Sequence, residues 1–200
     1  MLTPQKRIDA KYLTKTSVLL VFAFLIMMVE FPLWFAPPFL KLDFSDVPAL
    51  IGAFAMGPVT GVVIELIKNI LHLTIKGTTT VGVGELANFI VGSVFVFTAA
   101  SIYHYHKSLK TAIIGMISAT IVMTAMAAVA NYFFLLPFFA ALYGVPLDLF
   151  VQMGAQVNSF VYDLKTLVVF AISPLNFVKG VLISVVTTPL YKRISLLLHR

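Results

Sequence analysis

The sequence predicts an all-α integral membrane protein: one domain over residues 1–200, built as a bundle of six transmembrane helices with the N- and C-termini cytoplasmic. Three observations predict it. The chain is 60% hydrophobic and 11% charged, with a mean hydropathy of +1.01, whereas soluble domains are about 25% charged. Apolar runs recur along it at roughly the 20-residue length that crosses a bilayer core. Nine basic residues fall in three short segments: Lys6, Arg7, Lys11 and Lys15; Lys107 and Lys110; Lys192, Arg193 and Arg200. Placing all three on the cytoplasmic side accounts for the net charge of +6 by the positive-inside rule, and nucleic acid is not needed as a partner.

The first helix, about 13–29, follows a basic start without a small-residue cleavage site and reads as a retained signal anchor. Glu30 and Pro32 end it. Residues 31–46 form a loop, and the next apolar run, about 47–56, is too short for an upright span unless that loop dips into the bilayer. Gly57-Pro58 breaks it from a third helix, about 58–75, with Pro58 in its first turn. A glycine- and threonine-rich turn, KGTTTVGVG from Lys76 to Gly84, leads to a fourth helix over about 85–103, whose aromatic and basic end marks an interface. The fifth, about 109–136, carries small residues through its middle, which allows close helix packing, and Pro137 ends or kinks it. Residues 140–162 are too polar to span. The sixth, about 164–190, is interrupted at Ser173-Pro174.

Two hundred residues in six helices leave no room for an ATPase or a large enzymatic domain. The absence of cysteine excludes thiolate metal sites, catalytic cysteines and disulfides. Function therefore rests on polar groups in apolar helices, where each buried charge costs at least about 2.5–3.5 kcal/mol on insertion scales and needs a partner or a wet cavity. Asn176 and Lys179, at i and i+3, share a helix face and are expected to point into one cavity; the alternative is that Lys179 snorkels to an interface and Asn176 only ties helices together. Asn131 stands late in the fifth helix, at similar depth, and reads either as a further cavity group or as an interhelical hydrogen bond without a ligand. Glu85 and Asn88 open the fourth helix at i and i+3, though a favourable helix dipole alone also explains Glu85. Glu65, Lys68 and Asn69 read first as a self-paired set that hides its own charge. The loop from Leu40 to Pro48, LKLDFSDVP, reads either as a lid over a cavity or as a solvated loop capping the next helix.

Three motifs lead nowhere. Gly82 to Ala87 matches G-x-G-x-x-A, but no βαβ pattern surrounds it. His104 and His106, at i and i+2, diverge on a helix and make no metal site. Gly57 and Gly61 signal either close helix packing or a tight turn. An intramembrane enzyme using Glu65, Lys68 and His72 remains the rival reading from another class.

The stretch FPLWFAPPFLKLDFSDVPALIGAFAMGP (Phe31 to Pro58) is joined by GVVIELIKNILH (Gly61 to His72), GVGELANFIVG (Gly82 to Gly92) and SPLNFVKG (Ser173 to Gly180). Together they resemble the riboflavin-specific S components of energy-coupling factor (ECF) transporters, over most of the chain. The resemblance implies a six-helix protein of the bacterial plasma membrane that binds its vitamin near the outer face. It implies docking on a membrane T component driven by two ATP-binding-cassette ATPases, and inward transport by reorientation of the whole S component, with hydrolysis left to the partners. It implies riboflavin as transported ligand, with no cofactor or metal. In that family the first outer loop and the last three helices enclose the flavin, which carries Leu42, Asp43, Asn131, Asn176 and Lys179 across as binding positions. Small residues of the first helix usually meet the T component in that family; Ser17 and Val21 stand roughly where two alanines are common, a departure from the pattern. FMN or another vitamin is the alternative ligand; the apparent shortage of outer basic residues to meet a phosphate favours riboflavin.

Overall fold

The computed structural model describes residues 9–198. Of the basic residues used to orient the chain, Lys6, Arg7 and Arg200 lie outside the described residues, as do the side chains of Lys192 and Arg193. Helix α1 is Ala10–Met27, and a two-residue antiparallel hairpin follows, β1 (Phe31–Pro32) pairing with β2 (Lys41–Leu42). Then come α2 (Asp46–Met56), α3 (Pro58–Leu71), α4 (Val83–Tyr105), α5 (Leu109–Ala130), α6 (Leu136–Tyr143), α7 (Asp148–Ala155), α8 (Leu164–Leu167) and α9 (Ser173–Leu198). π-helical turns extend α3 (His72–Lys76), join α5 to α6 (Asn131–Leu135) and join α8 to α9 (Val168–Ile172). Among the described residues five helical stretches are long and apolar enough to cross a membrane: Ala10–Met27, Pro58–Lys76, Val83–Tyr105, Leu109–Tyr143 and Leu164–Tyr191.

The sixth apolar helix, α2, has 11 residues, about 16 Å at 1.5 Å per residue, and is half of a span. It is buried on every side, from Asp46 through Phe54, and packs against α1, α3, α4 and α9. The loop before it enters the bundle as well, since Leu42, Asp43 and Ser45 are all buried. Loop and short helix together thus fill one position of the bundle. The two glycines read from the sequence divide their work here. Gly57 takes φ +113°, which breaks α2 from α3. Gly61 lets α3 lie against α2: a Cβ on it would stand 2.7 Å from the Ala53 Cβ and 3.2 Å from the Ala49 carbonyl oxygen.

Reciprocal capping boxes start α5, between Ser108 and Thr111, and α8, between Asp163 and Thr166. Two apolar clusters form the core. One centres on Leu50, Phe54, Phe95, Met123 and Ile183; the other, nearer the hairpin, on Leu135, Phe139, Phe150, Leu167 and Ile172.

Three boundaries differ from the sequence reading. The fifth span does not stop at 136: the π-turn Asn131–Leu135 absorbs the backbone irregularity ahead of Pro137, and the helix runs on to Tyr143, where Gly144 at φ +64° ends it. Ser173-Pro174 does not interrupt the last span; the π-turn Val168–Ile172 precedes it and α9 continues to Leu198. Within the expected polar loop, Asp148–Ala155 is helical because Phe150, Val151 and Gly154 pack on the bundle while Gln152 faces out. His104 bonds the Ala53 carbonyl at 3.1 Å, and the described residues hold no cluster of metal ligands.

Candidate functional site

One buried ionic network and one cavity occupy the hairpin end of the bundle. The network begins on α3, where the Lys68 ammonium donates to Asp46 at 2.5 Å, Ser45 at 2.7 Å and Glu65 at 2.8 Å. An ammonium has three protons, so Lys68 is fully committed. Asp46 also meets Lys179 of α9 at 3.1 Å. Lys179 reaches Asn88 of α4 at 2.8 Å and Asp43 of the loop at 3.4 Å. Asp43 in turn accepts the Ser45 backbone N–H at 2.7 Å. Asp43, Asp46, Glu65, Lys68 and Lys179 are all buried. Together they tie the loop and three helices around charge that no bilayer would accept unpaired.

Above the network is a cavity of about 440 Å³, within the range of small-ligand sites. Six of the seven residues singled out from the sequence line it: Asp43, Glu85, Asn88, Asn131, Asn176 and Lys179. Leu42 does not. It is fully buried and pairs, on β2, opposite Phe31. Gln156 is exposed and lies outside the lining.

The π-turns matter to this geometry. His72 and Asn131 are the first residues of two of them, and Ile172 is the last of the third. All three line the cavity. The Asn131 amide nitrogen donates to the Ala127 carbonyl at 2.8 Å, and that of Asn176 to the Ile172 carbonyl at 2.9 Å. A carbonyl can only accept, so both amide orientations are fixed by chemistry. Each side chain is left with one carbonyl acceptor and one N–H donor for a guest.

Opposite these stands a corner the sequence reading missed. Glu85 accepts from Thr78 at 3.0 Å and Thr80 at 3.4 Å, and His72 lies 3.2 Å from its other oxygen. The threonine-rich turn was legible as a turn, while its proximity to Glu85 was not. An apolar wall completes the site. Phe39 of the loop packs edge-on to Phe139 of α6 and Phe150 of α7, with ring centroids 6.5 and 5.4 Å away. At the rim, one oxygen of Glu30 accepts from Lys41 at 2.7 Å and Lys76 at 2.8 Å. Burial works to raise the Glu30 pKa and the two ammoniums to lower it; the ammoniums prevail, holding it below the ordinary value of 4.5.

The rival reading loses its residues to this arrangement. Glu65 and Lys68 are fully buried against each other, and His72 is paired with Glu85. No nucleophile with an adjacent base remains among them.

Comparison with known proteins agrees with a binding role. Residues 11–191 match the family model described as the substrate-specific component of ECF transporters. The chain is 40% identical to the riboflavin transporter RibU of Staphylococcus aureus (strain TCH60) over 190 residues, 95% of this chain and 93% of the relative. It is 35% identical to the riboflavin transporter FmnP of Bacillus subtilis (strain 168) over 186 residues, 92% of each. A solved S component of a bacterial ECF transporter superposes with a TM-score of 0.73 at 38% identity, covering 95% of this chain and 98% of that one. With its apolar spans, its buried charge network and these likenesses together, the chain belongs to the substrate-specific components of ECF transporters, multi-pass proteins of the bacterial plasma membrane.

Proposed function

We propose that this chain captures riboflavin in the 440 Å³ cavity at the outer face and delivers it inward as the S component of an ECF transporter. The observation that carries the reading is the convergence of Asn131, Asn176 and Lys179, from two different spans, on one cavity beside an aromatic wall. The pyrimidine edge of an isoalloxazine ring presents carbonyl, N–H, carbonyl in sequence. Two fixed amides, each with one donor and one acceptor free, together with an ammonium, complement that edge. Lys179 has three contacts already. The one to Asp43, at 3.4 Å, is longer than a normal charge-assisted bond, and it is the one that yields to a flavin carbonyl. Phe39 and Leu40 supply apolar area for the ring, and Glu85, Thr78 and Thr80 meet hydroxyls of the ribityl chain.

In this reading loop and α2 count as the sixth span, both termini are cytoplasmic, and the partners are a membrane T component and two ATP-binding-cassette ATPases. The similarity to riboflavin transporters supports the ligand. Ser17 and Val21, both exposed on α1, lie four residues apart on one face and form the contact with the T component. Capture itself needs no ATP.

The direct test is purification of the chain from flavin-replete cells without its partners. A yellow protein that releases a compound with riboflavin's absorption spectrum and mass is expected; a colourless one that also fails to bind added riboflavin refutes the reading.

A further inference from the structure

We infer that the ionic network below the cavity holds a bound proton on Glu65, so that this carboxyl is a neutral acid in the folded protein. The inference goes beyond the transport reading and does not depend on the ligand.

The charge count calls for it. Among the described residues, the ammoniums that meet Asp43, Asp46 and Glu65 are those of Lys68 and Lys179. Three carboxyls thus stand against two ammoniums, and all five side chains are buried. Fully ionised, the network encloses one negative charge without a counter-charge, a state that a buried group escapes by taking up a proton.

Geometry selects the carboxyl. Asp46 is met by both ammoniums, by Lys68 at 2.5 Å and by Lys179 at 3.1 Å. Asp43 has Lys179 at 3.4 Å and the Ser45 N–H at 2.7 Å, and it lines the cavity. Glu65 has Lys68, an ammonium it shares with Asp46 and Ser45. It is fully buried and does not line the cavity. Its Oε2 lies 2.8 Å from that ammonium without a hydrogen bond of its own. Gly92 of α4 shows where this oxygen points: a Cβ there would stand 2.4 Å from Glu65 Oε2 and 3.4 Å from Asp46 Oδ1. Two carboxyls therefore converge on one glycine, and where like charges share a site, one of them is held protonated. The space they leave against Gly92 is smaller than a methyl group, which admits a proton and excludes a metal ion.

The charged groups around Glu65 are Asp46 from α2, Lys68 on its own helix, Lys179 from α9 and Asp43 from the loop. Residues 16–27 of α1 contain no titratable group. Helix α4 faces it with Gly92, and the Glu85 of that helix is paired with His72 at the cavity. With Glu65 neutral, two carboxylates balance two ammoniums. Lys179 then turns from Asp43 toward a guest while Asp46 still holds it.

The experiment is infrared spectroscopy of the purified full chain at neutral pH, where exposed carboxyls are ionised, beside thermal unfolding in detergent as pH is raised. A carboxyl that is neutral when folded and ionised when unfolded binds more protons in the folded state, so its contribution to stability falls as pH rises. The wild type is expected to show the C=O stretch of a protonated carboxyl, shifted in D2O, and an unfolding midpoint that declines with pH. Glu65→Gln loses the band and flattens the decline. It folds with a midpoint at or above that of the wild type, because the amide offers Lys68 the same carbonyl and an N–H in place of the acid O–H. Asp43→Asn, which leaves two carboxyls for two ammoniums, also loses the band. A wild type without the band overturns the proposal, as does a band undiminished in Glu65→Gln or in Asp43→Asn. A Glu65→Gln chain that fails to fold, or is destabilised equally at every pH, overturns it too, since that is the signature of an ionised partner removed from Lys68.

Discussion

Lys68 and Lys179 are both enclosed by carboxylates, yet only Lys179 reaches the cavity. Lys68 spends its three protons on Asp46, Ser45 and Glu65 and serves the fold. Lys68→Met leaves Asp46 and Glu65 facing each other with one cation fewer, and removing one partner of a buried ion pair costs about 3–5 kcal/mol. A large fall in the midpoint of thermal unfolding in detergent, with little folded protein recovered, is the expected outcome. The sequence showed Lys68 with Glu65 because i and i+3 spacing is local. It did not show Asp46 or Ser45, which arrive from 22 and 23 residues away through a loop whose path no periodicity encodes. The same distinction runs through the site. Asn131, Asn176 and Lys179 were legible because an amide or ammonium in an apolar helix is costly enough to need a reason. Thr78 and Thr80 were not, since hydroxyls in a polar turn are cheap anywhere. Leu42 came from resemblance alone, and an apolar residue at a site edge looks the same in sequence whether it touches ligand or holds the strand beneath it.

At the scale of elements, the site depends on backbone features that composition hides. Three π-turns place His72, Asn131 and Ile172 at the cavity, and two of them lie just ahead of Pro137 and Pro174. The prolines were visible as breaks; that the chain would respond by widening a turn and continuing was not. Helix α7 was hidden by Asp148, Gln152 and Gln156 in a stretch too polar to span, although it delivers Phe150 to the wall behind Phe39. Close packing of α2 on α3 is a second requirement, since it sets the position of Asp46 against Lys68. Gly61→Ala forces a methyl group against Ala53 and the Ala49 carbonyl. It is expected to destabilise by about 1–3 kcal/mol and to weaken flavin binding, as thermal unfolding and a ligand titration on the same sample would show. The hairpin loop has its own dependence on pH. A carboxyl whose pKa is lowered by folding contributes stability above its unfolded value and loses it as pH falls through the folded one. Hydrogen exchange across residues 31–45, corrected for its intrinsic rate, should therefore stay flat from neutral pH down to about 4.5 and rise below that, where Glu30 releases Lys41 and Lys76.

For the whole molecule, the apolar spans were readable from length and hydropathy, with ends off by a few residues where turns continue helices. The half-length α2 was flagged by its shortness, and its placement at the centre of the bundle follows from its being apolar on every side. The orientation proposed, with both termini cytoplasmic, rests on basic residues that cluster at span ends. Because the chain has no cysteine, single substitutions test it cleanly. Thr79→Cys should react with a membrane-impermeant maleimide on intact cells, and Lys107→Cys only after permeabilisation. What the linear sequence withheld was the meeting of distant segments: the hairpin loop, the threonine turn and α9 around one space. The central claim is that this space holds the flavin through Asn131, Asn176 and Lys179. Its most direct measurement is titration of riboflavin into the purified chain, free of partner subunits, beside the Asn176→Ala and Lys179→Ala variants. Tight binding by the wild type is predicted, with affinity at least about tenfold weaker in either variant while thermal unfolding shows it folded; affinity unchanged in both folded variants would contradict the account.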